Sequence, residues 1–216
     1  MLEKMSDFFE NRINGYDEHM LNNIESATEF YPVTAELLPQ NNGCKVIDLG
    51  CGTGLELEFY FKLNPHAQIV GIDLSDKMLQ ALQSKFPDKQ IELIQGSYFD
   101  TPFGENLYDA AVSVESMHHY TKSEKVPLYA KLRKSLKDGG CFVLTDYFSL
   151  SDEEELMHRH NLIKLKKEQG LVDNEFYHYD TPLTVAHEIE ALTGAGFSNV
   201  AVVKNWGATY TIKAIK

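Results

Sequence analysis

The chain has 216 residues, enough for one domain with a full core, and 43% hydrophobic with 24% charged residues excludes a disordered or fibrous class. Lys and Arg number 20 against 32 Asp and Glu, a net charge of −12, which repels phosphate backbones at long range and disfavours nucleic acid as a partner. No apolar stretch approaches the ~20 residues of a membrane-spanning helix, and Met1-Leu-Glu-Lys-Met-Ser-Asp7 lacks a signal peptide's apolar run, so a cytoplasmic location and no membrane partner are expected.

In chain order, the first forty residues read as a helical arm. A strand over Cys44 to Leu49 meets a glycine loop and then a helix over about Leu55 to Leu63. A second strand, Gln68 to Asp73, feeds a helix that Ser75 caps, with Asp76 in its first turn. Met78, Leu79, Leu82 and Phe86 share one face of that helix, and Pro87 ends it. Strands follow at Gln90 to Gln95 and Tyr108 to Val114, then a helix ending near Lys137. Asp138-Gly-Gly140 reads as a stop and turn before a strand over Cys141 to Asp146. Ser151 to Gln169 is a charged helix closed by Gly170, and its run Lys164-Leu-Lys-Lys167 reads as a solvated face. The aromatic stretch Phe176 to Tyr179 precedes a helix from about Thr184 to Leu192. Two last strands, Asn199 to Trp206 and Thr209 to Ile215, pair as a hairpin around Gly207. Strands alternating with helices give an α/β class with a parallel sheet. Residues 1–216 form a single domain: an arm over 1–40, a core over 44–148 and a helical insertion over 150–180 near a substrate site. Cys44, Cys51 and Cys141 show no C-x-x-C spacing, which argues for reduced thiols rather than disulfides or structural zinc.

A strand, a glycine loop and a helix bring backbone N–H groups close to a ligand. A dinucleotide site needs G-x-G-x-x-G, whereas Gly50, Gly52 and Gly54 read G-x-G-x-G, with Leu55 or Leu57 where the last glycine belongs. Asp73 ends the second strand about 20 residues beyond the loop, the place of a ribose-binding carboxylate; taken alone, it reads equally as a helix cap.

The segment Val46-Ile-Asp-Leu-Gly-Cys-Gly-Thr-Gly54 resembles the first motif of class I S-adenosylmethionine (SAM)-dependent methyltransferases. The resemblance, best over Val46 to Phe148, implies a doubly wound, mostly parallel seven-stranded sheet with helices on both faces and an antiparallel last strand. It implies SAM as cofactor, with Asp48 near its amino-acid end. Gly50, Cys51, Gly52 and Gly54 would pass under it, Asp73 would take the ribose, and Leu74 and Met78 would flank the adenine. Family members often carry an aspartate where this chain has Ser97 in Gln95-Gly-Ser-Tyr-Phe-Asp100. Ser97 with Tyr98, Asp100, or backbone alone then recognises adenine. Ser113-Val-Glu-Ser-Met-His-His-Tyr120 also resembles a family run. It implies that Glu115 and Ser116 border the cofactor while His118 and His119 approach the methyl group. Either histidine suits a general base; equally, one caps a helix and the other lines a wall. The arm's Asn14-Gly-Tyr-Asp17 resembles a family motif that places Tyr16 over the cofactor as a lid.

No metal is expected. His118, His119, Glu115 and Asp146 are conceivable donors, but neighbouring histidines rarely share an ion. His158 and His160 face different sides of a helix. The resulting expectation is a methyltransferase acting on a small molecule, with a homodimer left open. The alternatives are an RNA or protein methyltransferase, different chemistry on the same cofactor, and a non-catalytic SAM-binding protein.

Overall fold

The structure, a computed structural model, describes residues 1–172 and 175–216. The arm folds into α1 (Met5–Asn11), α2 (Tyr16–Asn23) and α3 (Ala27–Glu36). Then β1 (Lys45–Leu49), α4 (Leu55–Leu63), β2 (Gln68–Asp73), α5 (Asp76–Lys85), β3 (Gln90–Gln95) and β4 (Tyr108–Val114) alternate as expected. They are followed by α6 (Lys122–Ser135), β5 (Leu136–Tyr147), α7 (Asp152–Gln169), α8 (Val185–Gly194), β6 (Ser198–Trp206) and β7 (Thr209–Ile215). The seven strands run in the order β3-β2-β1-β4-β5-β7-β6. Neighbours from β3 through β5 pair in parallel, while β7 lies antiparallel between β5 and β6. The order reverses between β1 and β4, and a doubly wound sheet opens its ligand crevice at that point.

The central strands are apolar on both faces, as a sheet covered on both sides requires. One core gathers Ile47, Leu49, Ile72, Leu132, Phe142 and Leu192; the other gathers Val46, Leu57, Tyr60, Leu82, Val112 and Val143. Helix ends follow local chemistry. Ser75 Oγ accepts from Met78 N at 3.2 Å. Thr121 and Glu124 form a capping box at the start of α6, and Gly170 closes α7 with φ 63°. All three cysteines are free and buried. Among the described residues no helix is long and apolar enough to cross a membrane.

One boundary differs from expectation. The chain leaves α6 at Ser135 and enters β5 at once, so Asp138-Gly-Gly140 lies within a 12-residue strand. Tyr108 pairs with Leu136 but Ala110 pairs with Cys141, and Gly139 at φ 76° absorbs the extra residues as a bulge. Backbone bonds from Asn106 N to Lys134 O and Leu107 N to Ser135 O catch the chain before the glycines can turn it away.

Two features tie outlying parts to the core. Lys125 and Glu188, 1% and 0% exposed in their side chains, form an ion pair at 2.5 Å between α6 and α8, and the Tyr129 hydroxyl donates to the same carboxylate. The arm meets the strap of residues 175–180 through an antiparallel bridge between Lys4 and Tyr177. Met5 N donates to Phe176 O at 3.0 Å there, and His178 N to Glu3 O at 2.9 Å.

Removing one member of a buried ion pair strands the other charge. Lys125→Met should lower unfolding free energy by about 3–5 kcal/mol in denaturant melts. Adding Glu188→Leu should recover most of that loss.

Candidate functional site

The glycine loop leaves β1 at the crevice. At Gly50, with φ 74°, an added Cβ would lie 2.2 Å from Ser116 Oγ, so the chain ends of β1 and β4 touch here only because this residue has no side chain. At Gly52 the first neighbour of such a Cβ is the Tyr16 ring at 4.0 Å, so its backbone faces open space beneath the arm. Gly52 N donates to Asp73 Oδ2 and Ser75 N to Asp73 Oδ1, both at 2.9 Å. Asp73 therefore braces the loop and the start of α5 together. Burial raises its carboxyl above the ordinary value, while the Ser75 and Gly52 amides oppose that rise. Beneath the loop Asp48 is buried, and its Oδ2 has no hydrogen-bond partner. Burial first, and Glu56 beside it second, push the Asp48 carboxyl well up.

Above the loop runs a narrow cleft of about 50 Å³, with Met5, Phe9 and Tyr16 of the arm closing it. Of the residues expected at the cofactor, Tyr16, Gly50, Gly52, Asp73, Leu74 and Met78 line the cleft from the β1–β2 side and the arm. Tyr98, Glu115 and Ser116 line the opposite side, joined by His119. Its charged lining consists of Asp73 and Glu115, with no Lys or Arg among the described residues. Asp48, Cys51 and Gly54 lie outside the lining; Cys51 Sγ is packed where a Cβ on Gly71 would meet it at 2.8 Å. Ser97 is also outside, its Oγ accepting from Phe99 N at 3.1 Å. Lys131 Nζ fixes the following turn through the carbonyls of Tyr98, Phe99 and Thr101 at 2.6, 2.7 and 2.9 Å.

Glu115 follows β4 with φ 49°, a strained conformation for a side-chain-bearing residue. Its Oε1 is buried without a partner. Burial, then the charge on Asp146, push its carboxyl up to about 8.

The two histidines divide. His118 Nδ1 lies 2.5 Å from Asp146 Oδ1, and Asp146 Oδ2 accepts from Met117 N and His118 N at 2.7 and 3.0 Å. Burial opposes a charge on His118, yet Asp146 outweighs it and raises the imidazole to about 9. His119 lines the cleft instead. Its Nδ1 is 3.1 Å from Asp180 Oδ1 and 3.4 Å from Tyr179 O. Burial, then the neighbouring His118 charge, lower His119 to about 4. Burial works against the Asp180 charge, but His119 and His118 hold that carboxyl well below its usual range. Tyr147 also hydrogen-bonds Asp180. Donor atoms of His118, His119 and Asp180, and separately of Glu115, His118 and Asp146, fall within 4.8 Å of one another. Both sets share His118, whose Nδ1 Asp146 already engages.

Two partners were not visible as such from sequence. Asp146 entered only as a metal donor, although a residue ending β5 beside β4 must face the β4 terminus. Asp180 lies in an irregular strap and carries no motif.

The 3-2-1-4-5-7-6 sheet, with this glycine loop at its switch point, has the fold of class I methyltransferases. Residues 46–140 match the family described as "Methyltransferase domain". An uncharacterized methyltransferase of Synechocystis sp. is 31% identical over 57% of this chain and 57% of its own length. A sterol 24-C-methyltransferase of Gibberella zeae is 26% identical over 72% of this chain and 40% of its own. This chain spans about half the length of these curated relatives. The crystal structure of human N-acetylserotonin methyltransferase in complex with SAM has the same fold, with a TM-score of 0.67 at 18% identity, covering 98% of this chain and 56% of that one. Residues 46–140 are thus similar to a methyltransferase family, and the chain has the fold of solved methyltransferases.

A histidine raised from 6.5 to about 9 on folding stabilises the fold fully below pH 6.5, and that stabilisation is lost as pH rises through 9. Melting temperatures at pH 6.5 and 9.5 should therefore differ more for the parent than for His118→Gln, the difference corresponding to about 3 kcal/mol.

Proposed function

We propose that this chain transfers a methyl group from SAM to a small-molecule acceptor, with His119 taking the acceptor's proton. The observation that carries the reading is the cleft's lining: among the described residues its acidic groups are carboxyls without a Lys or Arg beside them, and buried carboxyl oxygens of Asp48 and Glu115 lack partners. Such a site suits a ligand bearing positive groups and no diphosphate. It fits SAM and rejects a pyrophosphate dinucleotide.

Asp73 would hold the ribose hydroxyls without releasing the Gly52 and Ser75 amides, since a carboxylate accepts about four hydrogen bonds. Leu74 and Met78 would flank the adenine, Glu115 and Ser116 would border the methionine end, and Asp48 would reach it from beneath the loop. A nucleoside-sized ligand exceeds the space left in the cleft, so the arm opens to admit it and Tyr16 closes over it. The bound cofactor supplies a methyl group activated by its sulfonium. His119 is neutral at pH 7 with Nδ1 turned to Asp180, which leaves Nε2 to take a proton. His118, held as an imidazolium by Asp146, positions that pair and takes no proton itself. Holding the acceptor in line with the methyl carbon supplies much of the remaining acceleration. The net charge of −12 favours a small acceptor over RNA.

Parallel calorimetric titrations with SAM, S-adenosylhomocysteine and NAD test the cofactor. Binding of the first two is expected, and tight binding of NAD alone overturns the reading. Deleting residues 1–20 should weaken SAM binding sharply; unchanged affinity would remove the lid. In a radiolabelled methyl-transfer assay, His119→Ala should lose roughly 100-fold in turnover with SAM affinity retained. Full activity would leave His119 as wall only.

A further inference from the structure

A second cavity, of about 270 Å³, lies under α7. Among the described residues His119 alone lines both it and the cofactor cleft. The residue assigned to proton transfer is thus the partition between two compartments, one acidic and narrow, the other wider and differently lined.

The second cavity has a mixed lining, with an apolar and aromatic wall beside polar and charged groups. Leu162 and Ile163 of α7 face Phe176 and Tyr177 of the strap across it. Phe176 is anchored by stacking on Phe99 at 5.1 Å and by an edge contact with Tyr120 at 5.1 Å. Two carboxylates on its lining are committed. Glu124 accepts from Thr121 N at 2.7 Å and Thr121 Oγ at 2.6 Å. Glu175 accepts from Lys4 Nζ at 2.8 Å and the Tyr177 hydroxyl at 3.2 Å.

Arg159 is different. Its carboxylate contact among the described residues is Glu155 at 3.8 Å, beyond hydrogen-bond length. Glu155 in turn gives its Oε2 to Thr184 N at 2.7 Å and His187 Nδ1 at 2.8 Å. A guanidinium carries five N–H donors in a planar fork that matches a carboxylate. Here that fork lines the same cavity as His119 and the apolar wall.

We propose that this cavity is the acceptor site and that its substrate is a small amphipathic carboxylate. The carboxylate meets Arg159, the aromatic or aliphatic body lies between Ile163 and Phe176, and the nucleophilic X–H meets His119. This rests on the methyl-transfer reading above. In the step, the X–H proton passes to His119 Nε2 and the X lone pair forms a bond to the methyl carbon. The carbon–sulfur bond breaks with its electron pair left on sulfur, giving a methylated acceptor and a neutral thioether. Arg159 takes no part in the bond changes; it selects and orients.

The test measures binding to the protein before any turnover. The probes are 4-hydroxybenzoate, 4-hydroxyphenylacetate and 3-(4-hydroxyphenyl)propanoate, each beside its primary amide, titrated by ligand-observed NMR in the presence of S-adenosylhomocysteine. At least one carboxylate should bind tenfold or more tightly than its amide. Arg159→Gln should abolish that preference while SAM affinity, read by calorimetry, stays within twofold. Ile163→Trp, which fills the cavity, should block the same carboxylate and likewise spare SAM. Equal binding of carboxylates and amides, no binding of any carboxylate, or a preference that survives Arg159→Gln overturns the proposal. Failure of the cofactor reading shows separately, as absent SAM binding by the unaltered chain.

Discussion

The contact between Gly50 and Ser116 governs the site. Connections that leave two adjacent parallel strands toward opposite faces of a sheet open a crevice, and the width of that crevice depends on how closely the strand ends approach. Here the approach is near enough that a single methyl group would collide with Ser116 Oγ at 2.2 Å. Because β1 and β4 end in contact, the loop that follows β1 turns directly beneath Glu115 and Ser116. Asp73 then draws that loop toward the start of α5 through Gly52 N. One close contact and one carboxylate thus set the floor and two walls of the cleft.

Electrostatics divides the space above that floor. Glu115, Asp73 and the deeper Asp48 make one compartment acidic, and none of them has an arginine or lysine partner in the cleft lining. Past them, Asp146 keeps the His118 proton in place, while burial, helped by that charge, keeps His119 neutral. Identical neighbours in sequence are therefore pushed in opposite directions, because one meets a buried carboxylate squarely while the other is lowered by burial and then by its charged twin. A pair of titratable groups pushed apart in this way is what an acid–base assignment rests on.

Local chemistry was the legible part of the chain. The G-x-G-x-G loop, the Ser75 cap, the Gly170 stop and the β6–β7 hairpin each depend on residues within a few positions of one another. So does the alternation that gives the parallel sheet. Asp138-Gly-Gly140 misled because a turn signal yields to a bulge once flanking backbone bonds hold the strand in register. The division of labour between His118 and His119 was illegible for a different reason. It depends on Asp146 and Asp180, brought in from 28 and more residues away, and the second of these comes from a strap with no periodic pattern. Ser97 stands where the resemblance implies a carboxylate for adenine. In the fold it caps a turn that Lys131 secures from α6, a long-range support that no motif encodes.

The bridge between Lys4 and Tyr177 links the arm that covers one compartment to the strap that walls the other. Met5 stands in the acidic cleft, and Phe176, whose carbonyl accepts the Met5 amide, stands in the neighbouring cavity. A displacement of the arm would break or drag these backbone bonds and disturb the aromatic wall of the second compartment. Occupancy of the two compartments is then mechanically coupled. Under the proposed reading, such coupling would impose an order of filling: the nucleoside would enter while the wall is loose, the wall would set as the arm returns, and the second molecule would meet a finished surface.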